Sequence, residues 1–118
     1  MPTSKPSPTV ASHFEKSTPA VYGTYKMILK SARELGTVRE DPKKTSIHLV
    51  RETAFAGIAT RKEALILTLK SAKAVKTPRA HRQEQVSSHR WHLEIRLAAP
   101  TDVDPEIREL LRAAYDLS

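Results

Sequence analysis

Residues Arg90–Leu97, with the sequence RWHLEIRL, form the stretch that decides the fold class. Large apolar residues alternate there with polar ones: Trp91, Leu93, Ile95 and Leu97 against His92, Glu94 and Arg96. A period of two is typical of a β-strand with one buried and one solvent-facing side. We therefore predict a strand whose apolar side chains lie under a helical layer and whose polar side chains face outward.

Three earlier stretches are predicted to be strands as well: Ser46–Arg51, Ala54–Thr60 and Leu65–Lys70. The first and third alternate, whereas the second is small and apolar around Phe55 and Ile58. The intervals between these stretches are short, which favours antiparallel neighbours and leaves no room for crossover helices.

One predicted helix precedes the four strands in the sequence, and a second follows them. Apolar residues recur at spacings of three and four from Tyr22 to Leu35, and Gly36 stands where a left-handed helix cap is needed. Near the end of the chain, Asp104 and Pro105 have the chemistry of a helix N-cap and first turn. The sequence thus predicts an α+β two-layer sandwich, a four-stranded antiparallel sheet with both helices on one face.

The 118 residues are enough for one domain, predicted over residues 20–118. Residues 1–19 contain four prolines and seven serines or threonines, and we predict a flexible proline- and serine-rich tail there. The longest apolar run, Ala64–Leu67, is far too short to span a bilayer, so we expect a cytoplasmic protein that does not bind membranes.

The chain is basic, with 20 Lys and Arg against 13 Asp and Glu, which favours anionic partners. It has no cysteine, which excludes disulfides and thiolate-ligated metal sites. Much of the excess charge is local, in the link between the third and fourth predicted strands: Lys70, Lys73, Lys76, Arg79, Arg82 and Arg90 accompany a single acid, Glu84. We interpret this link as a mobile basic arm suited to phosphates.

Other readings of the charge stay open. Lysine and arginine also keep small proteins soluble, and the link has no aromatic residues on which single-stranded bases would stack. The outward face of the predicted sheet is polar as well, and displays His48, Ile66, Thr68, Lys70, Arg90, His92, Glu94 and Arg96. Such a face is a docking surface, an oligomer interface or the solvated side of an antiparallel sheet.

Signals for catalysis are weak. His48, His92 and Glu94 form the two-histidine, one-carboxylate set that holds divalent metals, provided that the first and fourth predicted strands are close. The serines near histidines lack the sharp glycine-flanked turn of a nucleophile elbow, and three glycines in the whole chain provide no glycine-rich phosphate loop. We therefore expect no enzymatic activity, no cofactor and no bound metal.

Several short blocks in a fixed order carry a resemblance to a known family: Asp41–Leu49, Ala54–Gly57, Arg61–Lys62 with Leu65 and Leu67, Arg90–Leu97, Asp102–Asp104 and Ala114–Tyr115. Over about residues 25–117 the chain resembles the bacterial family catalogued as domain of unknown function 5655. The family's recurrent polar positions match Lys44, Arg61, Lys62, Arg79, Glu84, Arg90 and His92 here. In longer relatives the domain follows a restriction-endonuclease-like domain, so the resemblance implies, by association only, work near nucleic acid.

Two functional hypotheses follow. In the first, the protein is a non-enzymatic module that binds nucleic acid or an anionic small molecule such as a phosphate-bearing metabolite. Its candidate ligand-binding residues are Lys44, Arg61, Lys62, Lys73, Lys76, Arg79, Arg82, Arg90 and His92. In the second, the open sheet face or the edge of the second predicted strand docks a protein partner or a second copy, and the charge serves solubility. The first hypothesis has a structural alternative, in which Arg61–Lys62 is a solvated turn and Glu84 pairs with Arg79 or Arg90.

Overall fold

The computed structural model describes residues 8–118. In chain order its elements are α1 (Val10–His13), α2 (Pro19–Arg33), β1 (Arg39–Pro42), β2 (Ile47–Val50), β3 (Ala54–Thr60), β4 (Leu65–Ser71), β5 (Ala80–Ser87), β6 (Arg90–Leu97), a 3-10 turn (Pro100–Asp102) and α3 (Pro105–Asp116). The predicted α+β class is confirmed. No helix within these residues is both long and apolar enough to cross a bilayer.

The sheet has six strands in the order β1-β2-β3-β4-β6-β5, and every neighbouring pair is antiparallel. This corrects the predicted number of four. The four predicted strands are β2, β3, β4 and β6, and the two additional strands are the edges of the sheet. The second predicted strand, β3, lies between β2 and β4, so the expectation that it exposes an edge is wrong.

The two edge strands lack the apolar alternation that marks the others. β1 reads Arg-Glu-Asp-Pro, and β5 holds two apolar residues, Ala80 and Val86, among six polar ones. β5 is mostly exposed along its length, so burial imposes no period of two on its sequence. Its pairing with β6 supplies the backbone hydrogen bonds that stabilise it. The interpretation of residues 80–87 as part of a mobile arm is therefore wrong.

Helices α2 and α3 cover one face of the sheet and contact β3 and β4. The core between the layers is apolar, and its largest fully buried side chains include Tyr25, Phe55, Ile28, Leu67, Leu69, Leu93 and Ile95. Helix α2 ends at a right-handed C-cap, Glu34, so the expectation that Gly36 forms a left-handed cap is wrong; Gly36 has a φ of 153°, a conformation that favours glycine. A side chain at this position would collide with the hydroxyl of Tyr115, which donates a hydrogen bond to the Thr37 carbonyl at 3.1 Å.

The alternation predicted for β6 is confirmed. Leu93, Ile95 and Leu97 are at most 1% exposed beneath the helices, whereas Arg96 is exposed. His92 and Glu94 also lie on the face without helices and are partly accessible. Trp91, near the start of β6, is only half-buried, and one of its two cross-strand partners, Gln85, is exposed.

The chain segment before α2 packs against the rest of the protein. α1 begins at a capping box formed by Thr9 and Ser12, and Phe14 then contacts the ring of Tyr25 at a centroid distance of 5.1 Å. The Thr60 hydroxyl donates a hydrogen bond to the His13 carbonyl at 2.6 Å. The predicted tail therefore includes an ordered turn of helix from residue 10, while residues 1–7 of that prediction lie outside the described residues.

Candidate functional site

A shallow cavity of about 360 Å³ lies on the face of the sheet that carries no helix. We name it the open-face trough and define it by six residues of its lining: His48, Gly57, Ala59, Thr68, Lys70 and His92. These residues come from four adjacent strands, β2, β3, β4 and β6, which are distant in sequence but neighbours in the sheet. The trough is therefore a product of the strand order.

The depression exists because Gly57, in the middle of the cross-strand row of His48, Gly57 and Thr68, has no side chain. His48 is paired with Gly57 across β2 and β3, and Gly57 is paired with Thr68 across β3 and β4. The glycine and the nearby Ala59 form a low floor between larger neighbours. A Cβ atom at Gly57 would meet Cδ2 of His48 at 3.9 Å, an ordinary contact, so the fold would accept a larger residue there.

Lys70 provides the charge at one side of the trough. Its ammonium donates a hydrogen bond to the Thr53 hydroxyl at 3.0 Å, which holds the Nζ atom in place. Partial burial disfavours the charged ammonium, and the Arg90 guanidinium repels it, so the pKa of Lys70 lies below that of an ordinary lysine. His92 is the cross-strand partner of Lys70 and adds a third basic side chain.

Two acids of the open face, Glu84 and Glu94, form ion pairs with Arg82. Oε2 of Glu94 lies 3.6 Å from Nε of Arg82, and the Arg82 guanidinium also donates to Glu84 at 3.1 Å. The sequence alternatives that paired Glu84 with Arg79 or Arg90 are therefore wrong. Within residues 8–118, no carboxylate forms an ion pair with Lys70, Arg90 or His92.

Arg79 has a different role from the one suggested by its place in the basic link. Its guanidinium forms an ion pair with Asp104 and donates to the Asp102 carbonyl at 2.9 Å. Asp104 is also the N-cap of α3 and accepts the backbone N–H of Ile107 at 3.0 Å. That hydrogen bond, together with Arg79, lowers the pKa of Asp104. Arg79 therefore ties the loop after β4 to the start of α3.

The remaining candidate residues are spread over the surface. Lys44 lies in the turn between β1 and β2, and Lys73 and Lys76 are exposed in the loop after β4. Arg61 and Lys62 form the turn between β3 and β4 and line a separate cavity of about 470 Å³ beside α1. Of the nine candidates, only His92 lines the trough, and Arg90 lies near enough to Lys70 to repel its charge.

The metal hypothesis fails on strand order. β3 and β4 separate His48 on β2 from His92 and Glu94 on β6, so the three side chains do not converge. The two histidines line the same trough instead, from different strands. Nowhere in residues 8–118 do three His, Asp or Glu side chains meet in a group that would hold a metal ion.

Sequence reasoning missed the small residues of the site. Gly57 and Ala59 line the trough but carry no chemistry of their own. The one available signal was a glycine in the interior of an otherwise apolar strand, which often marks a close approach by another group.

The family comparison covers nearly the whole chain. A family model described as "Domain of unknown function (DUF5655)" matches residues 10–118, which confirms the predicted resemblance. Searches among curated proteins and among solved structures found no match to the chain. The match to the family model is sufficient to assign the family, and the chain belongs to the DUF5655 family.

Proposed function

We propose that the protein is a binding module for a phosphate-bearing anion, which it holds in the open-face trough. Free nucleotides and other phosphorylated metabolites carry this group, and so do nucleic acids. The sequence hypothesis of an anion-binding module, which used both the basic link and the polar sheet face, is kept, and the proposed binding site is now centred on the sheet face.

One observation carries the proposal: a partly buried lysine stands beside an arginine and a histidine, and none of the three forms an ion pair with a carboxylate in residues 8–118. Burial of a cation and its repulsion by a neighbouring positive charge are both unfavourable, and a bound phosphate would offset both. The oxygens of a phosphate accept hydrogen bonds from ammonium and guanidinium groups without a deep pocket.

The size of the trough fits a small ligand. Its volume of about 360 Å³ is at the lower end of the range for small-molecule sites, roughly 300 to 1,000 Å³. The floor at Gly57 and Ala59 is flat and uncharged, so it suits the ring or chain that carries the phosphate. A free nucleotide and one nucleotide of a strand both meet these requirements.

The proposal is for binding without a chemical step. An activated serine or threonine nucleophile hydrogen-bonds to its general base. Across the described part of the chain, the hydroxyls of Ser46 and Thr68 make no hydrogen bond to His48 or His92. Binding is therefore the function that this geometry supports best.

The test is a titration of the protein with inorganic phosphate, adenosine triphosphate, a labelled single-stranded oligonucleotide and a labelled duplex. We expect Lys70→Met to weaken binding of the phosphate-bearing probes by on the order of tenfold, as expected for losing one charge-assisted contact. Lys73→Met is the matched control, because Lys73 is exposed in the loop after β4, outside the trough. The four probes distinguish a metabolite from a nucleic acid as the ligand.

Salt dependence provides a second measurement. If an oligonucleotide binds, its affinity should fall steeply with salt, and Lys70→Met should reduce the logarithmic slope by about one. No binding of any probe at low salt would contradict the proposal. So would equal effects of Lys70→Met and Lys73→Met, because the trough would then contribute nothing beyond general charge.

A further inference from the structure

Strand β5 presents an edge without a neighbour in the described chain. β5 pairs with β6 on one side, and within residues 8–118 no strand pairs with its other side. An edge strand carries a row of backbone N–H and C=O groups that a further strand can pair with. Val86, near the end of β5, is 47% exposed, which is unusual for a large apolar side chain in this protein.

The opposite edge of the sheet is protected, which makes the contrast informative. β1 has four residues and ends at Pro42, which has no N–H to donate. α1 contacts this edge, and the His13 imidazole hydrogen-bonds to the Lys43 carbonyl at 2.7 Å. β5 is twice as long, with eight residues, and contains no proline. Of the two edges, only β1 therefore combines a short strand, a proline and a covering helix, three features that block strand addition, whereas β5 carries charged residues and ladder irregularities at its two ends.

The charges on β5 are complementary to their own copy. Arg82 and Glu84 are opposite Glu94 and His92 of β6, so both lie on the open face of the sheet. In an antiparallel pair of two β5 strands centred on Gln83, Arg82 is opposite Glu84 of the partner subunit. The same contact recurs by symmetry, which gives two opposite-charge cross-strand pairs. A shift of the centre by one residue to either side removes both of them.

The middle of β5 is held in a regular conformation. Its ladder with β6 is irregular at Ala80–Arg82 and Gln85–Ser87, which leaves Arg82–Gln85 as the regular segment around the proposed centre. The Gln83 side chain is fixed on the other face, where it accepts the Val75 N–H at 2.8 Å and donates to the Val75 carbonyl at 2.6 Å. The strand is therefore ordered before it meets a partner.

We infer that two copies of this chain associate through antiparallel pairing of their β5 edges, centred on Gln83. The two sheets join into one of twelve strands, and the two open faces lie on the same side. The pairing also covers part of Val86. This inference is independent of the proposed ligand, because none of the trough residues lies on β5.

The test uses charge reversal and mixing. In Arg82→Glu, position 82 and Glu84 are both acidic, and in Glu84→Arg, position 84 and Arg82 are both basic. Each variant alone therefore places like charges opposite each other in the symmetric pair. We expect each to raise the dimer dissociation constant by on the order of tenfold or more, measured by analytical ultracentrifugation from low micromolar to millimolar concentration.

Mixing the two variants restores both opposite-charge pairs, so the mixture should form a heterodimer although neither component dimerises well alone. This outcome also shows that both variants are folded, since a misfolded chain would not regain association. Arg39→Glu, on the protected β1 edge, is the matched control and should dimerise as the wild type does. The inference is overturned if the wild type is monomeric at every concentration. It is also overturned if the single variants dimerise as well as the wild type, or if their mixture stays monomeric.

Discussion

Two groups of basic residues, close in sequence, differ in what surrounds them. Arg79 and Arg82 are neutralised by carboxylates, one at the start of α3 and one on β6. Lys70 and His92 line the trough, Arg90 lies close enough to Lys70 to repel its charge, and none of the three has such a partner among the described residues. The comparison shows that a run of positive charge in a sequence can divide into bases that form ion pairs with carboxylates and bases that do not.

The largest expected effect is a loss of stability when the ion pair between Arg79 and Asp104 is removed. Asp104→Ala removes both the N-cap of α3 and the partner of Arg79, so we expect a loss of about 1 to 2 kcal/mol in the free energy of unfolding. Asp104→Asn is the matched control, because asparagine still caps a helix but cannot pair with Arg79. Chemical denaturation measures both variants. Equal stability of Asp104→Ala and wild type would show that this contact does not stabilise the fold.

The pH dependence of stability separates the same two contributions. The folded-state pKa of Asp104 is lowered, so its ionised form contributes stability at neutral pH. That contribution is lost as the pH falls through the lowered pKa. We expect the difference between wild type and Asp104→Asn to shrink over that acidic range. A difference that does not change with pH would contradict the assignment.

Replacing one arginine from each group by methionine tests the comparison directly. Arg79→Met should lower stability by about 1 kcal/mol, because a charged hydrogen bond to a part-exposed partner is lost, and should leave probe affinity unchanged. Arg90→Met should weaken binding of adenosine triphosphate several-fold and leave stability nearly unchanged. Thermal unfolding and calorimetric titration of both variants suffice. If the two variants affect binding equally, the division into two groups is wrong.

A smaller effect is expected at the floor of the trough. Gly57→Ala has room for its methyl group and lowers the conformational entropy of the unfolded chain, so we expect a gain of about 0.5 kcal/mol in stability. The same methyl group raises the floor and should reduce affinity for adenosine triphosphate without any change in charge. A more stable protein with undiminished affinity would show that the ligand does not touch the floor.

The smallest effect is a shift in the pH at which binding is lost. Phosphate requires the charged form of Lys70, whose pKa is lowered by burial and by Arg90. Binding of inorganic phosphate should therefore weaken as the pH rises through that lowered pKa, before an ordinary lysine loses its proton. Lys70→Arg stays protonated throughout and should keep its affinity to higher pH. Identical pH profiles for the wild type and Lys70→Arg would show that Lys70 does not bind the phosphate.

The sequence predicted the parts of the fold that burial imposes on it. β6 was clear because Leu93 and Ile95 must reach the core, and α3 was clear because Asp104 and Pro105 carry the chemistry of a helix start. β5 and β1 were missed because edge strands are stabilised by backbone pairing, which leaves little pattern in side chains. The number of strands was therefore the part of the fold least accessible from sequence.

The sequence predicted only part of the candidate site, for a related reason. His48, Thr68, Lys70 and His92 were predicted on the open face, but their adjacency depends on the order of strands in the sheet. That order is set by pairing between distant segments, which one sequence read alone does not specify. The sequence does not reveal the ion pairs of Arg79 and Arg82, because their partners Asp104 and Glu94 are distant in sequence.

The most direct test of the division between paired and unpaired bases is a backbone amide NMR titration with adenosine triphosphate. The account predicts that the largest shift changes fall at Gly57, Thr68, Lys70 and His92, with the loop of residues 72–79 nearly unchanged. Changes confined to residues 72–87, or none at saturating probe, would contradict it. In the first case the charge of the link, rather than the trough, would be the binding surface.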